Sequence, residues 1–260
     1  MDSLWVAKSG LEAQQTRMAV VSQNLANVNT TGYKKSRAIF EDLLYQNVVQ
    51  AGGLTSEQSQ SPTGLNLGTG VRVVATDRQF NQGNLINSNN ALDIAVQGRG
   101  FFEILLPDGT LSYTRDGTFQ LDPQGQMVTS SGYTLQPAIT VPPGAQSITI
   151  GVDGTISVIL PGSPDPLQIG TLQITDFLNP AGLQARGQNL FLETVASGPP
   201  QAGTPGLNGL GTLVQGALET SNVNVVEELV NMIETQRAYE MSSKAIERSD
   251  EMLRYVTNNL

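Results

Sequence analysis

The sequence predicts an α+β protein: long N- and C-terminal helices pair into a coiled-coil-like helical domain, and a central antiparallel β-rich domain lies between them. Three observations carry this reading. An apolar seven-residue repeat runs through residues 3 to about 28. A second runs from Asn222 to Leu253, in a stretch without Pro or Gly. Between residues 71 and 215, short apolar runs alternate with Gly- and Pro-bearing turn signals.

In the first segment Leu4, Leu11, Met18 and Leu25 are seven apart. Ala7, Val21 and Val28 follow Leu4, Met18 and Leu25 at three residues, with Gln14 the polar member. That spacing is a heptad seam, the signature of a helix that meets another helix, although an N-terminal helix lying on a globular core has the same pattern. The segment then meets Asn24-Leu25-Ala26-Asn27-Val28-Asn29-Thr30-Thr31-Gly32-Tyr33-Lys34-Lys35. Asn, Thr and Gly so closely spaced favour side-chain-to-backbone bonds over helix continuation, which predicts a built turn. Asn29-Thr30-Thr31 is formally a glycosylation sequon, but the turn is the reason read for it here.

From Tyr45 to Gly70 the chain is rich in Gly, Ser, Gln and Thr and poor in charge, with short apolar anchors at Val48, Val49, Leu54, Leu65 and Leu67. Composition predicts an extended loop or linker over 46–70. Strands are expected at Val71–Ala75, Ile94–Val96, Phe101–Leu106, Ser147–Ile150, Ile156–Leu160 and Leu167–Ile174. Asp-Gly-Thr recurs at Asp108, Asp116 and Asp153, and Pro123-Gln124-Gly125 adds a fourth turn signal, so all four are expected to close hairpins. Calcium is the rival reading of the Asp-Gly pairs, but no Asp-x-Asp-x-Asp-Gly run is present. The glycines around Arg99 and from Gly206 to Gly211 lack the phosphate-loop Lys and the dinucleotide spacing.

The C-terminal stretch is read as one helix to about Thr257, roughly 50 Å long at about 1.5 Å per residue. Asn224 suits the cap, and Glu227 and Glu228 suit the positive end of the dipole. Val225, Leu229, Met232, Tyr239, Ile246 and Leu253 form its seam, and Val226, Val230 and Ile233 lie beside it. This face is wider than one partner helix needs, which implies more than one neighbour. A long helix on its own domain's core is the alternative.

Composition removes several classes of function. The 260 residues include no Cys and no His, which excludes disulfides, thiolate metal sites and His-assisted nucleophilic catalysis. Neither a metal site nor a cofactor is predicted. A net charge of −9 argues against nucleic acid and anionic membrane surfaces. Residues 101–200 carry eight acids and two bases, so Glu103, Asp108, Asp116, Asp153, Asp165 and Asp176 are expected mostly on an electronegative outer surface. No basic run followed by an apolar core opens the chain, so any export is expected to proceed without a cleaved signal peptide. Paired carboxylates acting on a glycan are the acid–base chemistry left to such a chain, but no catalytic signature surrounds any of them.

The long motifs add a resemblance. NLANVNTTGYKK after the first helix, NVNVVEELVNMIETQRAYEMSSKAI at the other end and DIAVQGRGFF with YTRDG in the middle resemble the bacterial flagellar basal-body rod and hook family. The resemblance implies a structural, non-enzymatic subunit that packs with its own copies into a helical tube, its terminal helices inside and its β domain outside. The Tyr45–Gly70 insertion resembles that of the members forming the distal part of the rod, a torque-transmitting shaft; a proximal rod or hook subunit is the alternative. The implied partners are proximal rod proteins, hook protein and the surrounding periplasmic and outer-membrane ring proteins, with no nucleic acid and no small-molecule substrate. The implied location is the basal body, from periplasm to outer membrane. The residues expected at subunit contacts are Leu4, Leu11, Met18, Val21, Leu25, Asn27, Asn29, Gly32 and Tyr33 near the start, and Val225, Leu229, Met232, Ile233, Tyr239, Ile246 and Leu253 near the end. The domains are expected at 1–45 with 216–260, at 46–70 and at 71–215.

Overall fold

The structure is a computed structural model that describes residues 2–50, 54–56, 59–60, 63–162 and 165–258. It divides into two compact units, one of residues 1–26, 36–77 and 224–260, the other of 27–35 and 78–223.

In the first unit, helix α1 spans Asp2–Ala26 and helix α2 spans Val225–Asn258, and the two pack against each other. Asn224 caps α2 as expected: its Oδ1 accepts from the amides of Val226 and Glu227, at 3.1 and 3.4 Å. The strand Ser36–Asp42 pairs with Val71–Arg78. Beyond it, the stretch read as a linker forms an antiparallel ribbon, Tyr45–Val49 against Leu65–Gly68 and Leu54–Ser56 against Ser59–Gln60. Alternation did not announce these strands because neither face of the outer pair is buried: Tyr45–Val49 and Leu65–Gly68 are exposed throughout.

The second unit is built on a seven-stranded antiparallel sheet, with strands in the order 119–121, 127–129, 134–136, 102–105, 111–114, 190–192 and 184–187. Both faces are covered. Strand residues alternate, so Phe102 and Ile104 point into the main core with Leu135, Phe119, Met127 and Leu190. Phe101, Tyr113 and Phe191 point the other way, into a cluster of edge-to-face rings with Phe80 and Phe177. A three-stranded sheet, 147–150, 155–159 and 167–171, adds Ile150 and Ile156 to the main core.

The three Asp-Gly-Thr turns share one chemistry. In each, the Asp Oδ1 accepts from the amide and the hydroxyl of the Thr two residues on. Asp108 and Asp153 close hairpins as predicted. Asp116 does not: it leads from strand 111–114 to strand 119–121, which are not neighbours. Gly117 crosses Ile94 there, so closely that an added Cβ would lie 1.6 Å from the Ile94 carbonyl oxygen. The turn residues are therefore read correctly and the topology is not, since a local Asx bond says nothing about which strand comes next. The acidic surface also needs correction. Asp108, Asp153 and Asp165 are exposed, whereas Glu103, Asp116 and Asp176 are half-buried. Asp116 also accepts from the Thr31 hydroxyl at 3.0 Å, and Asp176 pairs with Arg99 at 3.0 Å.

Candidate assembly interface and the charged clasp

The two helices leave most of their sequence-predicted contact residues half-buried or exposed in the first unit, but not as a shared seam, and Val21 is buried within its own chain. On α2 the residues turned into the protein are Glu228 and Thr235, both buried, followed by half-buried Ser242 and Ser249. These four are seven apart, so the column nearest α1 is polar or small. The apolar column lies outside: Val225, Val226, Leu229, Val230, Ile233 and Tyr239 are all exposed, from 38 to 70%. Met232 and Ile246 are half-buried, and Leu253 lies in α2 with its side chain outside the described residues. On α1, Leu4, Leu11, Met18 and Leu25 are half-buried, while Ala13, Val20, Val21 and Asn24 are the buried positions. So many contiguous exposed apolar residues on one helix mark an interaction surface.

The exposed apolar surface continues on the ribbon. Leu44, Tyr45, Val48, Val49, Leu65 and Leu67 are all exposed on a two-stranded element, which has little stability of its own in water. At its base Leu67 and Gly68 join Val6, Ala7 and Gly10 of α1 and Met241, Ser242 and Ala245 of α2 around a cleft of about 610 Å³.

The remaining predicted residues, Asn27, Asn29, Gly32 and Tyr33, fall in the second unit, where 27–35 is inserted as a plug. Asn29 is exposed and Asn27 half-buried. Gly32, at φ 67°, passes so close to the backbone of Arg115 and Asp116 that a Cβ would meet the Asp116 nitrogen at 2.7 Å. Its amide donates to the Glu219 carbonyl at 2.9 Å. Tyr33 is buried beside the Arg78 guanidinium. Lys35 N–H donates to Asn222 Oδ1 at 2.7 Å, and the Asn222 amide donates to the carbonyls of Gln79 and Asn81.

Sequence reasoning missed the centre of this plug, a buried charged clasp. Lys34 Nζ and Arg115 Nε donate to the two carboxylate oxygens of Glu219, each at 2.7 Å. All three side chains are at most 5% exposed. Further bonds complete the node: Lys34 donates to the Asn81 carbonyl at 2.8 Å, Gly83 N–H to Glu219 at 2.8 Å, and Arg115 to the carbonyls of Val96, Gly98 and Gly100. Satisfaction of this kind makes buried charge tolerable. Burial pulls the Lys34 pKa down against the opposing pull of Glu219. Burial pushes Glu219 up, but Arg115 and Lys34 outweigh it and hold the carboxyl below its usual 4.5.

The chain also matches known families along its length. Residues 4–34 match the family described as flagella basal body rod protein, 95–158 the flagellar hook protein FlgE/F/G D1 domain, and 214–260 the flagellar basal body rod FlgEFG protein C-terminal. It is 55% identical over 251 residues to the flagellar basal-body rod protein FlgG of Buchnera aphidicola from Schizaphis graminum, covering 96% of each chain. The chain belongs to the flagellar basal-body rod protein family. Other rod-protein relatives carrying the name FlgG are those of Borreliella burgdorferi, 49% identical over 100% of this chain and 98% of that protein, and Bacillus subtilis, 37% identical over 98% of each. The matched segments 4–34 and 214–260 cover most of α1 and the plug, with Lys34, Glu219 and α2, and Arg115 lies in the matched segment 95–158.

A pH dependence follows from the clasp. A carboxyl whose pKa is lowered by folding binds fewer protons folded than unfolded, so its stabilisation is complete above the unfolded value and lost as pH falls through the folded one. Thermal melts of the second unit are expected to be flat from pH 7 to about 5 and to fall below about 4.5, with a shallower acid slope in Glu219→Gln. An identical acid slope in that variant would place the titration elsewhere.

Proposed function

We propose that this chain is a structural subunit of the distal flagellar rod that polymerises with its own copies into a tubular drive shaft, carrying torque towards the hook. The observation that carries the reading is the apolar column of α2, exposed over several turns in a chain related over its full length to rod proteins. Helices from neighbouring copies would cover Val225, Leu229, Met232, Ile233, Tyr239, Ile246 and Leu253 on α2, together with Leu4, Leu11, Met18 and Leu25 on α1, in coiled-coil-like packing. The plug residues Asn27, Gly32 and Tyr33 then serve assembly through the second unit of their own chain. The exposed ribbon is an element suited to bracing against a neighbour. Proximal rod proteins and hook protein would meet the two ends of such a polymer, and ring proteins its outside, from periplasm to outer membrane. The role is structural and non-catalytic.

Light scattering and electron microscopy of the purified chain over a concentration series test this. A heterologous contact that does not close gives rods that lengthen with concentration. A closed oligomer of fixed size at every concentration would refute the polymer.

A further inference from the structure

Over its first turns the amphipathicity of α2 is inverted within its own chain, and a polar node lies where the inversion begins. Asn24, near the end of α1, is 2% exposed, and Glu228, in the first turns of α2, is 4% exposed. Asn24 Nδ2 donates to Glu228 Oε2 at 3.4 Å and to the Ser36 carbonyl at 2.9 Å. Asn24 Oδ1 accepts from Ser36 N–H at 2.9 Å. One amide therefore joins α1, α2 and the strand beginning at Ser36. Two turns of helix further on, Thr235 is fully buried on the same column, its hydroxyl donating to the Asn231 carbonyl at 2.6 Å. Hydrophobic burial alone would rotate α2 by roughly a third of a turn and set Leu229 and Ile233 against α1. A buried polar contact satisfied in only one arrangement selects that arrangement over more apolar ones, as a single buried Asn selects register in coiled coils.

We infer that Asn24 and Glu228 are positioning residues for assembly, fixing the rotation of α2 so that its apolar column faces a second copy instead of its own α1. The inference rests on the polymer reading only for the identity of what covers that column; the rotation itself is a property of one chain. The pin spends intrachain apolar contact to keep an interchain surface open. Replacing both members by apolar residues removes the selection without leaving a buried charge unpaired, and half-buried Ser36 can turn its freed N–H and C=O to water, so the double variant N24L/E228L releases the rotation while preserving the fold.

The test uses the full chain, whose lack of cysteine permits two clean spin labels. Arg17→Cys and Glu234→Cys place them at exposed positions whose native charged ends approach to 3.9 Å across the helix pair. In dilute monomer, the parent is expected to show one narrow distance distribution and N24L/E228L a broadened or displaced one, with the second unit's melting unchanged. Glu228→Gln keeps an oxygen that can accept from Asn24 and is expected to restore the narrow distribution. Without labels, N24L/E228L is expected to assemble at least tenfold less at a given concentration, and Glu228→Gln as the parent does. A parent-like distribution in N24L/E228L overturns the pin, as does a disturbed one in Glu228→Gln. If the parent itself forms no polymer, the rod reading fails while the distances still decide the pin.

Discussion

Replacing Leu229 with Asp is expected to leave the chain monomeric at concentrations where the parent forms rods. Leu229 is 43% exposed in the single chain, so a carboxylate there is solvated and costs the monomer little. In a polymer that covers this column, the same carboxylate would be buried without a partner, at a cost of several kcal/mol in every copy. Ile233→Asp, one turn on and 51% exposed, should behave alike. The contrast to measure is between assembly, by sedimentation and electron microscopy, and melting of the second unit, which should stay within about 2 °C of the parent. Rods of normal length and yield from either variant would show that this face is not interfacial. A matching loss of second-unit stability would instead make the effect one of folding.

Glu219→Gln is expected to lower the stability of the second unit strongly. It leaves Lys34 and Arg115 buried with no anion, and breaking a buried pair from one side costs about 3–5 kcal/mol. For a unit of this size that corresponds to a fall in melting temperature on the order of 10 °C. The exposed pair Arg186–Asp108, at 3.2 Å, supplies the control, since Arg186→Gln should leave the melting temperature close to the parent's. Scanning calorimetry of the full chain separates the two outcomes. A melting point for Glu219→Gln matching that of Arg186→Gln would mean the clasp contributes no more than a surface bridge.

The clasp matters beyond its own unit because of where its members sit in the chain. Lys34 follows α1, Glu219 precedes α2, and Arg115 lies midway between them. Within the second unit, Gly32, Lys34, Lys35, Glu219 and Asn222 hold the stretch that follows α1 beside the stretch that precedes α2.

The sequence by itself determined the elements whose cause is local. Heptad spacing and the absence of Pro and Gly made α2, with Asn224 as its cap. Asp-x-Thr bonding made the turns at Asp108 and Asp153. Short apolar runs marked the strands at 71–78, 94–97, 102–105, 147–150, 155–159 and 167–171, but only 102–105 of the seven-stranded sheet. Long motifs at both ends pointed to the rod family. Tertiary structure alone decided three things. The strands Tyr45–Val49 and Leu65–Gly68 are exposed on both faces and have no alternation to read, so 46–70 looked like a linker. Which strand follows an Asx turn depends on distant pairing, so Asp116 looked like a hairpin. Charge is ordinarily a sign of surface, so nothing in the sequence marked Lys34, Arg115 and Glu219 as buried, because what makes them tolerable is each other, across 185 residues of chain. The direction of α2 belongs with these: its apolar column was legible, but only the contact between Asn24 and Glu228 decided that this column faces out.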